Sequence, residues 1–350
     1  MAGWFLKTLK FLELWGLPFL LVVQAFLPPA LIFGRLLPHL LSKTYHVADG
    51  DDEHWVNEVP PEDRRHGVTA AILISVFFAV TFLLWVPAVV YALWSWHVTA
   101  RFRPLDNPPR VADTMQVQKA GDKKRRFCGL CNVTKGDRTY HSKQLGRCIP
   151  FHDHVCLWWA GGVWLENVKA YLVFVVFLTL YQVYCTVVAI WVLSIPDNRN
   201  SNPHIALGVL SGAMAIYSFL IAMRYWFSLV ACNALEFDTL APERYIWVNG
   251  RTYTWHTKRM EESPWNLGWS KNFRLIIGPW WSLPFFWTTT PLMHAAGQSP
   301  LRDGLLLPPI PLQNLAPSRR DEARSTGSDV GVDARRRSTL TPRHSSSRSD

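Results

Sequence analysis

Cysteine is scarce in this chain: six residues in 350 are too few for the disulfide framework of a small secreted domain. Acidic residues are also in deficit, with 26 Asp and Glu against 36 Lys and Arg and a formal net charge of +10. Charge of either sign is missing altogether from residues 68–96 and 171–194, and residues 205–231 carry only Arg224, near one end. Such runs, with a hydrophobic content of 49%, exclude a coiled coil and a wholly disordered chain. No internal repeat of the transporter kind is visible and no ionisable residue lies near the centre of a run, so a conducting pathway has no support. The first apolar stretch is long and lacks a small-residue cleavage site, which argues against a signal peptide.

What is present is patchy, since a mean hydropathy of only +0.05 averages apolar runs with strongly polar segments. A bilayer core of ~30 Å needs ~20 mainly apolar residues in a helix. Residues 68–96, 171–194 and 205–231 meet this requirement, and residues 14–33 meet it despite Gln24, Pro28 and Pro29, because prolines are tolerated in membrane helices. The expected fold class is therefore an all-α membrane protein with four transmembrane helices. The basic balance then points to an anionic membrane surface and away from nucleic acid.

Loop charge sets the expected orientation. Residues 38–67 hold three Lys/Arg and seven Asp/Glu, whereas residues 97–169 hold thirteen Lys/Arg and six Asp/Glu. The second loop is expected in the cytosol, and four spans place both termini there too. A fifth span at 275–292 is disfavoured by its prolines, threonines and tryptophans, which suit an interfacial segment. The last fifty residues, rich in Ser, Arg and Pro, read as a disordered tail. Its run Arg335-Arg336-Arg337 is read either as a phosphorylation-switched membrane contact or as plain solvated chain.

The expected organisation is a cytosolic N-terminus at 1–13, spans one and two with a lumenal loop at 14–96, and a cytosolic cysteine-rich catalytic domain at 97–170. Spans three and four follow at 171–231, then a membrane-associated cytosolic segment at 232–299 and a disordered basic tail at 300–350.

Four of the six cysteines crowd into the 29 residues from Cys128 to Cys156, and clustering on the reducing side favours metal binding or catalysis over disulfides. Cys128 and Cys131 form a CxxC knuckle, with His141 and Cys148 at distances a folded loop closes into a Cys3His zinc site. A redox dithiol is the alternative, although no α/β pattern surrounds it. Asp153-His154-Val155-Cys156 supplies a carboxylate to orient an imidazole and an imidazole to take a thiol proton. A packed surface turn or a further ligand cluster stands as the alternative. Cys156 lies only about fifteen residues before the third span, close enough to the membrane surface to meet an acyl-CoA, a substrate part lipid and part water-soluble. Trp158 and Trp159 suit the same interface, or simply anchor the chain. Cys185 reads as packing, and Cys232 as either an acylation site or a small buried hydrophobe.

These features resemble the DHHC protein S-acyltransferases, the palmitoyltransferase family, with DHVC in place of DHHC, and most resemble fungal members with a reduced cysteine-rich domain. The family pattern runs CxxC, nine residues, His-Cys, two residues, Cys, two residues, Cys, four residues, then Asp-His-His-Cys. Cys128, Cys131, His141, Cys148, Asp153, His154, Cys156, Asn167 and Tyr171 fall in that register. Residues 263–278, SPWNLGWSKNFRLIIG, are similar to the family's C-terminal motif, with Asn272 at its Asn. The resemblance covers roughly residues 14–280 and implies catalytic Cys156, His154 and Asp153 and zinc on Cys128, Cys131, His141 and Cys148. A second family zinc would need ligands at Ser142, Leu145, Val155 and Gly162, none of them a usual ligand, so one structural Zn2+ is expected. Other departures are Asp106-Asn107-Pro108-Pro109, Leu157 after the cysteine, and Asn233-Ala234-Leu235-Glu236 after the fourth span. His152 is a further candidate for metal or acid–base work.

The resemblance implies protein S-palmitoylation: a long-chain acyl group passes from acyl-CoA to Cys156 and then to cysteines of cytosol-facing substrate proteins. A sixteen-carbon chain buried among the spans gains on the order of 10 kcal/mol before ordering costs. The expected location is an endomembrane or the plasma membrane. The alternative is an inactive membrane scaffold or accessory subunit that keeps the fold.

Overall fold

The computed structural model describes residues 16–37, 45–49, 52–56, 61–112, 114–194, 202–240, 243–248, 250–256, 260–263, 265–293 and 316–317. The N-terminal segment 1–13, most of the 195–204 connection and the Arg335-Arg336-Arg337 run lie outside the described residues.

Among the described residues three helices are long and apolar enough to cross a membrane: Val68–Ala100, Val168–Ser194 and Asn202–Ala231. They belong to α2 (Pro61–Trp94, continued by a wider turn over Ser95–Ala100), α3 (Val168–Ser194) and α4 (Asn202–Tyr225, continued over Trp226–Ala231). Each extends the apolar run by a few residues, because helical hydrogen bonding continues past the last apolar side chain. The helix at the first expected span is shorter. α1 spans Leu17–Leu31, and the apolar stretch Pro18–Gly34 falls among helices of 10–17 residues.

α3 is the central helix, with 56% of its apolar window buried against 28% for each of the other two spans. Its seam with α4 is lined by small residues. A Cβ added at Gly208 would sit 3.4 Å from the Ala189 methyl, one at Gly212 would sit 3.7 Å from Thr186, and Thr179 Oγ1 donates to Ser218 Oγ at 3.0 Å. Small side chains let two membrane helices approach closely where no hydrophobic effect drives them together. α1 is held differently. Pro28 has no N–H to bond the Gln24 carbonyl one turn earlier, and the Tyr181 hydroxyl of α3 donates to that carbonyl at 2.9 Å. Tyr184 donates likewise to Ile74 of α2 at 3.0 Å. Outward side chains such as Leu73, Val209 and Leu220 are exposed, which suits lipid and not water.

The all-α expectation holds for the spans only. Between α1 and α2 lies the antiparallel hairpin β1–β2 (Tyr45–Asp49, Asp52–Val56), and between α2 and α3 the chain forms β3 (Thr114–Val117) and then three short antiparallel hairpins. These are β4–β5 (Phe127–Cys128, Val133–Thr134), β6–β7 (Thr139–Ser142, Arg147–Pro150) and β8–β9 (His154–Cys156, Gly161–Val163). Strands of two to four residues leave no periodicity that a sequence pattern can register. After α4 come a short helix α5 (Glu236–Thr239) and the hairpin Glu243–Val248 with Arg251–His256, which extends β3 into a sheet.

The 275–292 segment is no span: helix α6 (Trp269–Ile276) ends within it, and a 3-10 turn over Trp280–Ser282 follows. Lys169 at the start of α3 ties this segment down, donating to Ser282 Oγ at 3.2 Å and Thr288 Oγ1 at 2.9 Å. Asn272, fully buried, donates to the Ala231 carbonyl at 2.8 Å and so stitches α6 to the end of the fourth helix.

Candidate active site and metal centre

Hairpins β4–β5 and β6–β7 bring Cys128, Cys131, His141 and Cys148 together, with their ligand atoms all within 4.8 Å of one another. His141 Nδ1 lies 3.2 Å from Cys131 Sγ and 3.6 Å from Cys128 Sγ. A tetrahedral zinc with Zn–S ~2.3 Å separates its ligand atoms by about 3.8 Å, so the cluster fits that ion. Its electrostatics agree. Burial opposes the Cys128 thiolate, but the Cys131 N–H and hydrogen bonds with the neighbouring thiols outweigh it and hold Cys128 below the ordinary thiol range. Cys148 is pushed well up, first by burial and then by those same thiols. Cys128 and Cys148 are thus driven apart, one toward the thiolate and the other toward the thiol, and a bound dication favours the thiolate of each ligand.

The four positions of a second metal do not fit one. A Cβ at Gly162 would fall 2.4 Å from two ring carbons of Trp96 and 2.9 Å from His152 Nε2. Trp96 and His152 stack with centroids 5.4 Å apart, and Phe237 packs against His152 at 4.9 Å. Val155 is exposed, and Ser142 Oγ accepts the Leu145 N–H at 3.3 Å. Burial lowers the His152 pKa to about 4, so the imidazole is neutral and serves as an aromatic filler.

The third hairpin carries the DHVC residues. Alternation along β8 puts His154 and Cys156 on one face and Val155 on the other, matching the burial of Cys156 and the exposure of Val155. Asp153, 1% exposed, approaches His154 Nδ1 with Oδ2 at 2.8 Å. Its Oδ1 accepts the backbone N–H of Glu236 at 2.7 Å. The Nδ1–H donated to the carboxylate leaves Nε2 with a free lone pair. Burial pushes the Cys156 thiol up to about 12, against the pull of the Trp158 and Trp159 backbone N–H groups that bond the sulfur. Leu157–Ala160 closes the hairpin, with Ala160 in the left-handed region at φ 50°. Asn167 secures the exit, donating to the Gly162 and Ala92 carbonyls at 3.0 and 3.3 Å.

Reading the sequence alone misses the residues that brace this site from afar. Arg138, 1% exposed, bonds Asp238 Oδ2 through Nε at 2.9 Å, Asn233 Oδ1 through Nη1 at 2.8 Å and the Asn233 carbonyl through Nη2 at 2.9 Å. Its guanidinium stacks over Phe151 and Trp265, and Tyr140 donates to Asp238 Oδ1 at 2.5 Å. The hairpins, the 233–238 segment and the C-terminal motif are locked together at this one side chain. The only local signal was the 233–236 tetrapeptide, which registered as a departure from the family pattern.

Residues 121–243 match the family model described as DHHC palmitoyltransferase. This chain carries a DHHC-family domain. It is similar to palmitoyltransferase PFA3 of Debaryomyces hansenii, 23% identical over 201 residues that cover 52% of this chain and 47% of the relative. It is also similar to probable protein S-acyltransferase 13 of Arabidopsis thaliana, 29% identical over 164 residues covering 46% and 52% of the two chains. Palmitoyltransferase ZDHHC2 of Homo sapiens is 26% identical over 170 residues, covering 46% and 43%. The chain thus spans about half the length of the curated relatives it matches. Its three long apolar helices and the similarity of residues 121–243 to this family point to an integral membrane protein.

Proposed function

We propose that this DHHC-family protein is a protein S-palmitoyltransferase working through an acyl-enzyme on Cys156. The observation that carries the reading is the 2.8 Å Asp153–His154 pair at the start of the strand that also bears Cys156. His154 Nε2 takes the Cys156 proton while Asp153 holds the tautomer and balances the imidazolium. The thiolate attacks the acyl-CoA thioester carbon, the bond to the CoA sulfur breaks, and His154 returns the proton to the departing thiolate. A cysteine of a substrate protein then repeats the exchange on the acyl-enzyme and frees Cys156. A thiol raised by burial needs such a base, because the thiolate is the nucleophile.

Cys128, Cys131, His141 and Cys148 are the proposed holders of one Zn2+, which supplies a structural cross-link between the first two hairpins. α1 is proposed as a fourth span, since a 17-residue apolar helix reaches about 26 Å and short spans fall within the observed range. Basic residues 97–169 and both termini then face the cytosol, in an endomembrane or the plasma membrane. Long-chain acyl-CoA and cytosol-facing, cysteine-containing proteins are the proposed partners.

The test is incubation of purified protein with labelled palmitoyl-CoA. A hydroxylamine-sensitive label that disappears in Cys156→Ala is expected. A label indifferent to that substitution refutes the assignment.

A further inference from the structure

Glu236 bonds Asp153 directly and connects to His154 through Tyr225. Its backbone N–H donates to Asp153 Oδ1 at 2.7 Å, leaving Oδ2 to face His154 Nδ1. Its side-chain Oε2 accepts the Tyr225 hydroxyl at 2.9 Å. The Tyr225 ring in turn lies nearly parallel to the His154 imidazole, with centroids 4.5 Å apart and an interplanar angle of 23°. Tyr171 meets the imidazole edge-on at 5.2 Å and Tyr225 edge-on at 5.1 Å, closing the aromatic box. The other carboxylate oxygen of Glu236 faces Arg224 at 3.5 Å across a solvent-exposed gap, a contact that contributes little.

We infer that Glu236 is a positioning residue for His154, acting through its backbone on Asp153 and through the Tyr225 hydroxyl on the face of the imidazole. The inference rests on the acyl-enzyme reading above. An imidazole bonded at one nitrogen can still swing about that hydrogen bond. A ring pinned flat on one face and met edge-on by another cannot, so Nε2 keeps one direction. Orientation of this kind acts on the rate of the chemical step and not on substrate affinity.

The test is single-turnover acylation of the full chain in detergent across palmitoyl-CoA concentrations, with Cys156→Ala as the control for acylation itself. Glu236→Ala and Tyr225→Phe are each expected to lower the maximal rate about tenfold with half-saturation unchanged. The double variant should be no slower than the slower single, because both changes remove the same hydrogen bond. Glu236→Gln should stay within about twofold of wild type, since its amide oxygen still accepts from Tyr225. A merely structural role would not produce this split and rescue. Should Glu236→Ala fail to fold, Tyr225→Phe decides, because it removes a single oxygen. Wild-type rates in Tyr225→Phe, or equal losses in Glu236→Gln and Glu236→Ala, overturn the inference. Failure of the control, with wild type and Cys156→Ala labelled alike, would instead overturn the acyl-enzyme reading.

Discussion

Gly162→Ala adds one methyl group at the point where the aromatic cluster replaces a second metal. The new Cβ would fall 2.4 Å from two Trp96 ring carbons and 2.9 Å from His152 Nε2. Both rings are buried, 0% and 1% exposed, and stacked on each other, so neither is a flexible tip that swings aside. Ordinary contact lies near 3.5–4.0 Å, so the backbone of β9 must retreat by about 1 Å. Overpacking of a filled core costs about 1–3 kcal/mol, and the rigidity of stacked rings places this case toward the upper end. The displacement does not stop there. Gly162 pairs with Val155, and its neighbours Gly161 and Val163 pair with Cys156 and His154, so a shift of β9 drags the DHVC strand. Misplacement of a reacting group by about 1 Å costs up to ~100-fold in rate. Equilibrium denaturation in detergent and single-turnover acylation read the two effects. Gly129→Ala is the control, since its added Cβ meets nothing within 4 Å, and it should stay within about 0.5 kcal/mol of wild type. Wild-type stability and rate in Gly162→Ala would refute the claim that Trp96 and His152 fill the second metal's place.

Metal analysis of the purified chain should return one zinc, lost in Cys131→Ser; zero or two zincs would contradict the ligand set at Cys128, Cys131, His141 and Cys148. Burial raises the Cys156 pKa to about 12, so its alkylation by iodoacetamide should climb with pH through 8 to 10 without levelling, and a plateau near the free-thiol value of ~8.5 would count against that burial. The linked stability has the opposite slope: with the folded pKa above the unfolded one, this thiol's contribution is complete below ~8.5 and falls as pH rises toward 12, because the unfolded chain sheds its proton first.

Much of the molecule is legible along the chain. Long, mainly apolar runs of twenty or more residues admit few structures other than a membrane helix, and residues 68–96, 171–194 and 205–231 are helices, extended a few residues to Ala100, Val168 and Asn202. The CxxC pair and the Asp153-His154 neighbours are local, so spacing alone brings their chemistry close. The short hairpins are not legible there, because strands of two to four residues are set by their ligand clusters and turns and carry no hydrophobic period of their own. The interfacial reading of 275–292 was reachable from its prolines and tryptophans, but the Lys169 anchor that holds the segment was not.

From its primary structure alone this protein declares an integral membrane chain, a Cys3His cluster and a thiol beside an imidazole and a carboxylate, since each depends on residues within a few turns of one another. Tertiary folding decided the rest. Arg138 meets Asn233 and Asp238 across about a hundred residues, Glu236 reaches back to Asp153 across 83, and Trp96 lies over Gly162. Contacts at such separation form only when the helices are already packed and the backbone groups already aimed. No local pattern of side chains can encode them.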